Sequence, residues 1–401
     1  MRCEWKSSKI GDLGKIITGK TPPTKNQDLW DGNIPFITPR DLQNGKTVLC
    51  TERTITSNGI KVMQSVKLPP KSVCVSCIGN IGYVAMTYSE CISNQQINSI
   101  IVNSNNDADF VYYLMKSLHS TFKNYEGQST TLSILNKKHF SDIDICIPPL
   151  DIQKKIAAIL SALDEKIATN REINENLERQ AASLYFSMFV SYDYYANMEF
   201  EDSEFGRIPK GWQVLSLDDV TINIRDRVNN NNYRVLSALN SGILQPSDEY
   251  FTKQVFSKDI SNYIIVAEND FAYNPARVNI GSLGINDLGY TGCVSPVYVV
   301  FRTENNYQNF MRFFVKSKRF QEEVKTRASG SVRQAMNYAD FSLIRLVYPP
   351  RSAIDEFNDM VEPIWKNIKH LRQENEKLSE LRDTLLPKLM SGEIDVSAVQ
   401  L

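Results

Sequence analysis

The feature that most constrains this chain is an internal repeat. Short anchors recur about 200 residues apart and keep the same order throughout. The anchor pairs are Glu4–Lys6 with Gly211–Gln213, Ile10–Leu13 with Leu217–Val220, Asn80–Gly82 with Asn279–Gly281, Phe110–Ser117 with Phe310–Ser317, Gly127–Thr131 with Gly330–Gln334, Phe140 with Phe341, and Pro148–Pro149 with Pro349–Pro350. Chance does not keep such a series collinear, so the sequence predicts two copies of one unit.

Each copy is predicted to be a mixed globular part followed by a long helix. Short runs rich in Val, Ile and Tyr, such as 72–78, 97–102 and 296–301, indicate strands, and single helices are expected around 107–124 and 306–326. The fold class is therefore α+β, with two largely β bodies separated by two long helices. The expected segments are a first domain (1–150), a first helix (151–190), a linker (191–211), a second domain (212–350), a second helix (351–392) and a tail (393–401).

The two helical segments carry apolar residues at alternating spacings of three and four, which is the pattern of a coiled coil. If the halves are related by a pseudo-twofold axis, the helices pair antiparallel. Asn170 and Asn375 would then meet in the seam and set its register, or else both face solvent. The predicted seam positions are Ile156, Leu163, Asn170, Leu177, Leu184, Ile364, Ile368, Leu371, Asn375, Leu378 and Leu385.

The ends of these helices are also predicted from their residues. Asp151 is a candidate N-cap of the first helix, and Gly392 is a candidate stop for the second. Pro363 and Pro387 each remove an intrahelical bond, so a kink or late start near 363 and fraying after 386 are expected.

Composition narrows the class of protein. No apolar run approaches the roughly 20 residues of a membrane span, and the start lacks a signal-peptide core, which favours the cytoplasm. Seven scattered cysteines form no disulfide framework. The net charge of −1 argues against a simple polycationic nucleic-acid binder, although the globular parts are neutral to basic and the helical parts acidic. Cys74 and Cys77 form one C-x-x-C without further ligands, so a buried strand is favoured over a metal site.

Three phrases carry a resemblance to a known family. They are Ile147–Leu160 before the first helix, Phe205–Trp212 at the start of the second half, and Leu385–Ile394 near the end. With the duplicated layout, they closely resemble the specificity (S) subunit of type I restriction–modification systems over nearly the whole chain. The second proline pair is followed by 351–357, which lacks the Gln-Lys-Lys of 153–155, so equal docking of partners by both helices stays open.

The resemblance implies a function without catalysis in this chain. Two target-recognition domains would each read one half of a split, asymmetric site in double-stranded DNA. The helices would space them and dock two methyltransferase subunits, through which restriction and translocase subunits join. S-adenosylmethionine, ATP and Mg²⁺ would belong to those partners. About 35 helical residues would span about 50 Å, against roughly 34–36 Å for one turn of B-DNA.

Two motifs suggest enzymes and are weighed against their surroundings. Residues 14–21 match the phosphate-loop pattern, but no buried strand precedes them and Pro22 and Pro23 follow at once. A DNA-facing loop with Lys20 and Thr21 as phosphate contacts is the better interpretation. Residues 273–277 approach the Asn-Pro-Pro-aromatic motif of amino-methyltransferases, but Ala276 and Arg277 stand where the pattern needs proline and an aromatic ring.

Candidate DNA contacts lie in polar, glycine-containing loops at matching places in the two copies. Arg and Gln suit the edges of guanine and adenine, whereas Ser and Thr suit phosphates. Any single one is as easily a solvated loop residue. The candidates are Lys20, Thr21, Thr38, Arg40, Asn80, Gln128, Ser129 and Thr130 in the first copy, and Arg225, Arg227, Asn274, Arg277, Asn279, Ser331, Arg333 and Gln334 in the second.

Two other classes of function remain open at this point. One is a self-contained enzyme, either a phosphate-loop ATPase or a fused methyltransferase, which would hydrolyse ATP or bind S-adenosylmethionine alone. The other is a coiled-coil scaffold, which would shift no DNA even with methyltransferase partners present.

The loop of the second copy gives a first prediction. Replacing Arg333 and Gln334 together by alanine removes two side chains suited to base edges, so recognition of one half-site only should be lost or relaxed. Mapping methylated adenines in cells that carry the variant measures this. An unchanged methylated motif would mean that the loop does not read DNA.

Overall fold

A computed structural model describes residues 5–43, 45–125, 134–239, 242–250, 256–304, 306–327 and 335–400. The chain divides into two compact units. The first consists of Met1–Glu172 together with Leu371–Leu401, and the second of Ile173–His370. The first unit is therefore completed by a segment from the far end of the chain.

The first unit is a β-rich body with short helices. Within the described residues its strands are β1 (Lys6–Lys9), β2 (Gly14–Thr18), β3 (Trp30–Ile37), β4 (Thr47–Val48), β5 (Arg53–Ile55), β6 (Val73–Ser76), β7 (Val84–Thr87), β8 (Ile92–Ser93), β9 (Ile97–Val102) and β10 (Asp144–Ile147). Its helices are α1 (Ser57–Val62), α2 (Ala108–Ser117), α3 (His119–Lys123), α4 (Lys137–Asp142) and the first part of α5 (Leu150–Phe189). Single 3-10 turns lie at Ile10–Leu13, Gln27–Leu29, Asp41–Gln43 and Gln64–Val66.

The second unit repeats this plan. Within the described residues its strands are β11 (Phe200–Ser203), β12 (Gly206–Pro209), β13 (Gln213–Ser216), β14 (Thr221–Ile224), β15 (Leu236–Ala238), β16 (Leu244–Pro246), β17 (Ile264–Val266), β18 (Phe271–Tyr273), β19 (Leu283–Ile285), β20 (Gly292–Val294), β21 (Val299–Thr303) and β22 (Arg345–Tyr348). Its helices are α6 (Leu217–Val220), α7 (Ser247–Tyr250), α8 (Gln308–Phe314), α9 (Lys318–Arg327), α10 (Tyr338–Ser342) and the first part of α11 (Arg351–Met390). Single 3-10 turns lie at Asp193–Tyr195 and Val278–Ile280.

One antiparallel sheet motif occurs in both units. The first unit has the strand order β2-β9-β6-β7, extended by β4, and the second has β14-β21-β18-β19. The flanking pairs also correspond, because β1 pairs with β10 and β13 pairs with β22. The repeat seen in the sequence is thus a repeat of sheet topology, and the mixed α+β class with two long helices is confirmed.

Alternate residues of the central strands enter different hydrophobic clusters. In β6, Val73 and Val75 belong to the cluster that includes the long helices, whereas Cys74 belongs to a second cluster on the other face. In β18, Phe271 and Tyr273 likewise face one cluster and Ala272 another. A strand covered on both faces is apolar throughout, which explains why these runs lack polar alternation.

The single helices expected around 107–124 and 306–326 are each divided in two, so that part of the prediction is wrong. The first break comes at Leu118, which lies between α2 and α3. The second precedes α9, where the hydroxyl of Ser317 accepts a hydrogen bond from the backbone N–H of Phe320 at 3.2 Å. A side-chain acceptor at this place satisfies a free N–H group and favours a new helix start.

The start of α5 differs from the prediction, whereas the end of α11 agrees with it. Helix α5 begins at Leu150, so Asp151 lies in its first turn and is not the N-cap. Helix α11 ends at Met390, and Gly392 follows with φ +72°, the left-handed conformation expected of a C-terminal stop.

Helix α11 runs without interruption through Pro363 and Pro387, so the expected late start and fraying do not occur. Both prolines lie on exposed positions. Water can therefore satisfy the carbonyl groups that each proline leaves without an intrahelical donor.

In the first unit, α5 and α11 pair antiparallel. Asp164 binds Arg382 at 2.8 Å, and about two turns further along α5 Asn170 donates to the Oδ1 of Asn375 at 2.9 Å. Asn170 is fully buried and also donates to Glu374 at 2.6 Å, so the alternative that it faces solvent is wrong. None of the predicted seam residues is exposed: Ile156, Asn170 and Ile368 are buried, and Leu163, Leu177, Leu184, Ile364, Leu371, Asn375, Leu378 and Leu385 are half-buried.

In the second unit the same two helices meet through aromatic rings. The ring of Phe357 in α11 lies 5.0 Å from that of Phe189 in α5, nearly perpendicular to it, and 6.2 Å from that of Tyr185. Edge-to-face pairs of this kind are favourable beyond the area that they bury. A polar seam in one unit thus corresponds to an aromatic one in the other.

A buried amide on each long helix holds a loop of the adjoining body. The side chain of Gln153 accepts from the backbone N–H of Asp107 at 2.9 Å and donates to Asn106 at 3.1 Å. In the second unit Asn358 accepts from Asn309 at 3.0 Å and donates to the carbonyl of Asn306 at 2.8 Å. The first residue of the Gln-Lys-Lys in the first copy, Gln153, therefore binds a loop within its own unit. Its counterpart in the second copy, Asn358, lies one helical turn later along α11.

A second set of contacts joins the first body to helix α5. The hydroxyl of Tyr113 donates to Asp164 at 2.6 Å, and the ammonium group of Lys46 donates to Ser161 at 2.7 Å. Lys46 also pairs with Asp109 at 2.5 Å. Burial alone would raise the pKa of Asp109, but Lys46 and Lys71 beside it hold that pKa below its usual value.

Removing the Tyr113 hydroxyl tests this fastening. Tyr113→Phe leaves Asp164 without one donor, so the free energy of unfolding should fall by about 1–3 kcal/mol. Tyr112→Phe is the matched control, because no hydrogen-bond partner of the Tyr112 hydroxyl is found in the described part of the chain. Urea denaturation followed by circular dichroism compares the two. Equal losses would show that the bond to Asp164 contributes nothing.

Candidate nucleic-acid interface

The repeated sheets end in a cluster of loops, which we call the rim. In the first unit it lies where β2 and β6 end and β9 begins, since Thr18 pairs with Asn98 and Ser76 with Ile97. In the second unit it lies where β14 and β18 end and β21 begins. Loops that leave one end of a rigid sheet are usual positions for binding residues.

In the first unit, the turn before β9 connects the other loops of the rim. The backbone N–H of Asn94 binds the carbonyl of Ile37 at 2.9 Å, and that of Cys77 binds the carbonyl of Gln96 at 2.7 Å. The N–H of Gly19 binds the carbonyl of Ile97 at 3.1 Å. The segments around residues 20, 38 and 78, which are distant in sequence, are thereby brought to one rim.

Lys20 and Thr21 lie at this rim, just after the end of β2. A Cβ atom on Gly19 would lie 2.2 Å from the carbonyl oxygens of Ser93 and Asn94, so only glycine permits this approach. Lys20 is exposed, and the hydroxyl of Thr21 donates to the side chain of Gln95 at 2.5 Å. No helix begins at Lys20 or Thr21, and residues 14–18 are a strand, so the segment lacks the architecture of a phosphate loop.

Thr38 and Arg40 differ in whether their side chains are available to bind a ligand. The backbone N–H and the hydroxyl of Thr38 both donate to buried Asp41 at 2.7 Å, so this side chain holds its own turn. Arg40 is exposed and pairs with the equally exposed Glu52 at 3.2 Å. Exposed pairs of this kind are weak, which leaves the guanidinium group available to another anion.

Asn80 lies at the tip of the loop between β6 and β7. The side chain is exposed, while its backbone carbonyl accepts from the hydroxyl of Ser76 at 2.7 Å. Ile78 forms a bridge with Ile134, so the chain returns to this loop directly after residues 126–133. The candidates Gln128, Ser129 and Thr130 lie outside the described residues.

The second unit places its arginines at the equivalent rim. Arg225 follows β14 and is exposed, and Arg227 donates to the side chain of Asn262 at 2.7 Å. Arg277 is exposed in the loop between β18 and β19, and Asn279 is half-buried in the same loop. The candidates Ser331, Arg333 and Gln334 lie outside the described residues.

Asn274 and its neighbours form a turn and not a methyltransferase site. The side chain of Asn274 accepts from the N–H of Ala276 at 3.0 Å, while its backbone N–H binds the carbonyl of Ser282. Tyr273 is fully buried and donates its hydroxyl to the carbonyl of Asn337 at 3.2 Å. A ring held in this way cannot stack on a flipped base.

The Cys74 and Cys77 thiols do not form a metal site. Cys74 packs in one hydrophobic cluster and Cys77 in another. Burial raises the pKa of each thiol to about 12, so both stay protonated at neutral pH. Among the described residues, no group of three or more His, Cys, Asp or Glu side chains is placed to hold a metal ion. None of the helices in the described part of the chain is long and apolar enough to cross a membrane.

Two rim residues were missed by the sequence analysis. Gln95 is exposed and bonded to Thr21, within a polar run of three amides between two buried strands, which was a detectable signal of a turn. Ile280 is 70% exposed beside Arg277. The same tripeptide Asn-Ile-Gly surrounds Ile81, which occupies the matching place in the repeat and is buried, so the local sequence did not mark Ile280 as exposed.

Known proteins share this architecture and sequence. Residues 3–179 match the family model described as the type I restriction modification DNA specificity domain. The MjaIX specificity subunit of a type I restriction enzyme from Methanocaldococcus jannaschii is 27% identical over 98% of this chain and 94% of its own length. The HindI specificity subunit from Haemophilus influenzae is 33% identical over 43% of this chain and 39% of its own.

Residues 3–179 therefore carry the DNA specificity domain of type I restriction–modification systems, and the chain as a whole is similar to the specificity subunits of those systems. A crystal structure of such a subunit from M. genitalium has the same fold, with a TM-score of 0.58 at 14% identity over 97% of this chain and 96% of that one. The family predicted from the sequence is therefore confirmed. Specificity subunits recognise DNA and are not the catalytic part of the complex.

Lys20 provides a test of the rim. Lys20→Ala removes one exposed charge, so DNA binding by the assembled complex should weaken about equally for all sequences, and the salt dependence should fall by about one phosphate contact. The control is Lys61→Ala. Lys61 is exposed on α1, and α1 packs against the end of β3 that lies away from the rim. Fluorescence anisotropy at several salt concentrations measures both. An unchanged salt slope would remove Lys20 from the interface.

Proposed function

We propose that each unit reads one half of a bipartite, asymmetric DNA site through its rim. One observation carries this proposal: the same sheet motif presents its loops twice, but with different side chains. Lys20, Thr21 and Gln95 stand at the first rim, whereas Arg225 and Arg277 stand at the second. Side chains that differ on a shared framework read different bases, so the two half-sites should differ in sequence.

The proposed division of labour along the chain follows the predicted segments. Target-recognition domains 1–150 and 212–350 read the DNA, and the helices 151–190 and 351–392 hold them and dock two methyltransferase subunits. Apolar side chains exposed on the helices, such as Phe186 and Leu381, support a docking role. Restriction and translocase subunits would join through the methyltransferases.

Cofactor chemistry is assigned to the partner subunits in this proposal. S-adenosylmethionine would be bound by the methyltransferases, and ATP and Mg²⁺ by the translocating subunit, all in the cytoplasm. The geometry of residues 14–21 and of Asn274 supports this division, because neither segment has the architecture that its enzyme motif requires.

Co-expression with the methyltransferase genes of the same system tests the proposal. Mapping methylated adenines across a genome should give one split motif with two unlike halves. A single undivided motif, or none, would contradict reading by two rims.

Arg277→Ala then identifies the half-site that the second unit reads. Loss of an exposed guanidinium group should cost about 1–3 kcal/mol at one position and make the motif degenerate there, while the other half stays unchanged. Arg207→Ala, on the exposed hairpin strand β12, is the control and should leave both halves intact. Degeneracy spread over both halves would count against reading by Arg277.

A further inference from the structure

The loop between β6 and β7 and the corresponding loop between β18 and β19 differ in length by one residue, counted between the backbone hydrogen bonds that close them. The hairpins start alike, because the N–H of Ser76 binds the carbonyl of Tyr83 at 2.9 Å and the N–H of Asn274 binds that of Ser282 at 3.0 Å. Between these bonds lie residues 77–82 in the first unit and 275–281 in the second. The second loop thus contains one residue more on the same foundation.

The extra residue changes which apolar side chain is buried. Ile81 is fully buried in the first loop. In the second, Val278 is the buried anchor at 1% exposure, whereas Ile280 is 70% exposed. The branched side chain that aligns with Ile81 in sequence is therefore displaced from the core and presented to solvent.

Ile280 and Arg277 are joined across a tight turn and are both exposed. Residues 278–280 form a 3-10 turn in which the N–H of Ile280 binds the carbonyl of Arg277 at 3.1 Å. Arg277 directly precedes this turn, and two residues joined by such a bond have Cα atoms within about 7 Å of each other. Gly281, with φ +88°, ends the turn. Both side chains are exposed, and among the described residues the guanidinium group of Arg277 has no partner.

This pair matches the chemistry of two neighbouring bases. A guanidinium group recognises the O6 and N7 atoms of guanine in the major groove, and an apolar side chain contacts the 5-methyl group of thymine. Insertion of Ile280 between base steps is the competing possibility, but that mode belongs to the minor groove, where the guanine edge for Arg277 is not offered.

Resting on the proposed function, we infer that Ile280 is a specificity-determining residue. It contacts the methyl group of a thymine in the half-site read by the second unit, next to a guanine bound by Arg277. The first unit has no counterpart, because Ile81 is part of its core.

The test removes one methyl group from the DNA and one side chain from the protein. We would titrate the full chain, assembled with its methyltransferase subunits, with DNA duplexes that carry the mapped motif. In each duplex, one thymine of the half-site that depends on Arg277 is replaced by uracil. For the wild type, one replacement should weaken binding about fourfold, the value of one buried methyl group. For Ile280→Ala, thymine and uracil should bind alike at that position.

Ile222→Ala is the matched control, since Ile222 is 63% exposed on β14 of the same unit. It should keep the fourfold difference. The inference is overturned if no uracil replacement affects the wild type, if Ile280→Ala keeps the difference, or if Ile280→Ala weakens all duplexes equally. Failure of the wild-type complex to prefer its motif over scrambled DNA is a different result, which overturns the proposed function and this inference with it.

Discussion

The fold depends on the burial of two narrow apolar helix faces that neither globular part can cover alone. Leu386, Leu389 and Met390 of α11 complete the hydrophobic cluster of the first unit. Tyr185 and Phe189 of α5 do the same for the second. Because a helix with one apolar stripe is stable only when that stripe is covered, each half of the chain is completed by residues from the other half of the sequence.

The sequence could predict those features of the fold that repeat along the chain or that recur with a regular period. Collinear anchors and spacings of three and four identify the two units and the two helices, because core packing imposes those patterns directly. Helix ends were less predictable. Pro363 does not interrupt α11, because it lies where water can satisfy the freed carbonyl, and Ser317 starts a helix that the apolar pattern does not reveal.

The rim was predictable as a set of loops but not as a geometry. Glycine-rich polar segments mark Lys20 and Asn80 as exposed. The bonds that bring their loops together, from Gly19 to Ile97 and from Cys77 to Gln96, are long-range backbone contacts with no sequence signature. The hydroxyl of Thr38 turned out to serve its own turn. The exposure of Ile280 follows from a single inserted residue, which changes side-chain direction without changing composition.

The discontinuous first unit has a consequence for synthesis on the ribosome. The second unit is one uninterrupted stretch, residues 173–370, whereas the first lacks 371–401 until the whole second unit has been made. At about 5–20 residues per second, the N-terminal body waits roughly 10–40 s with its face for Leu389 uncovered. Of the two units, the one whose synthesis begins first is thus completed second, and in that interval it presents an apolar surface of the kind that chaperones bind.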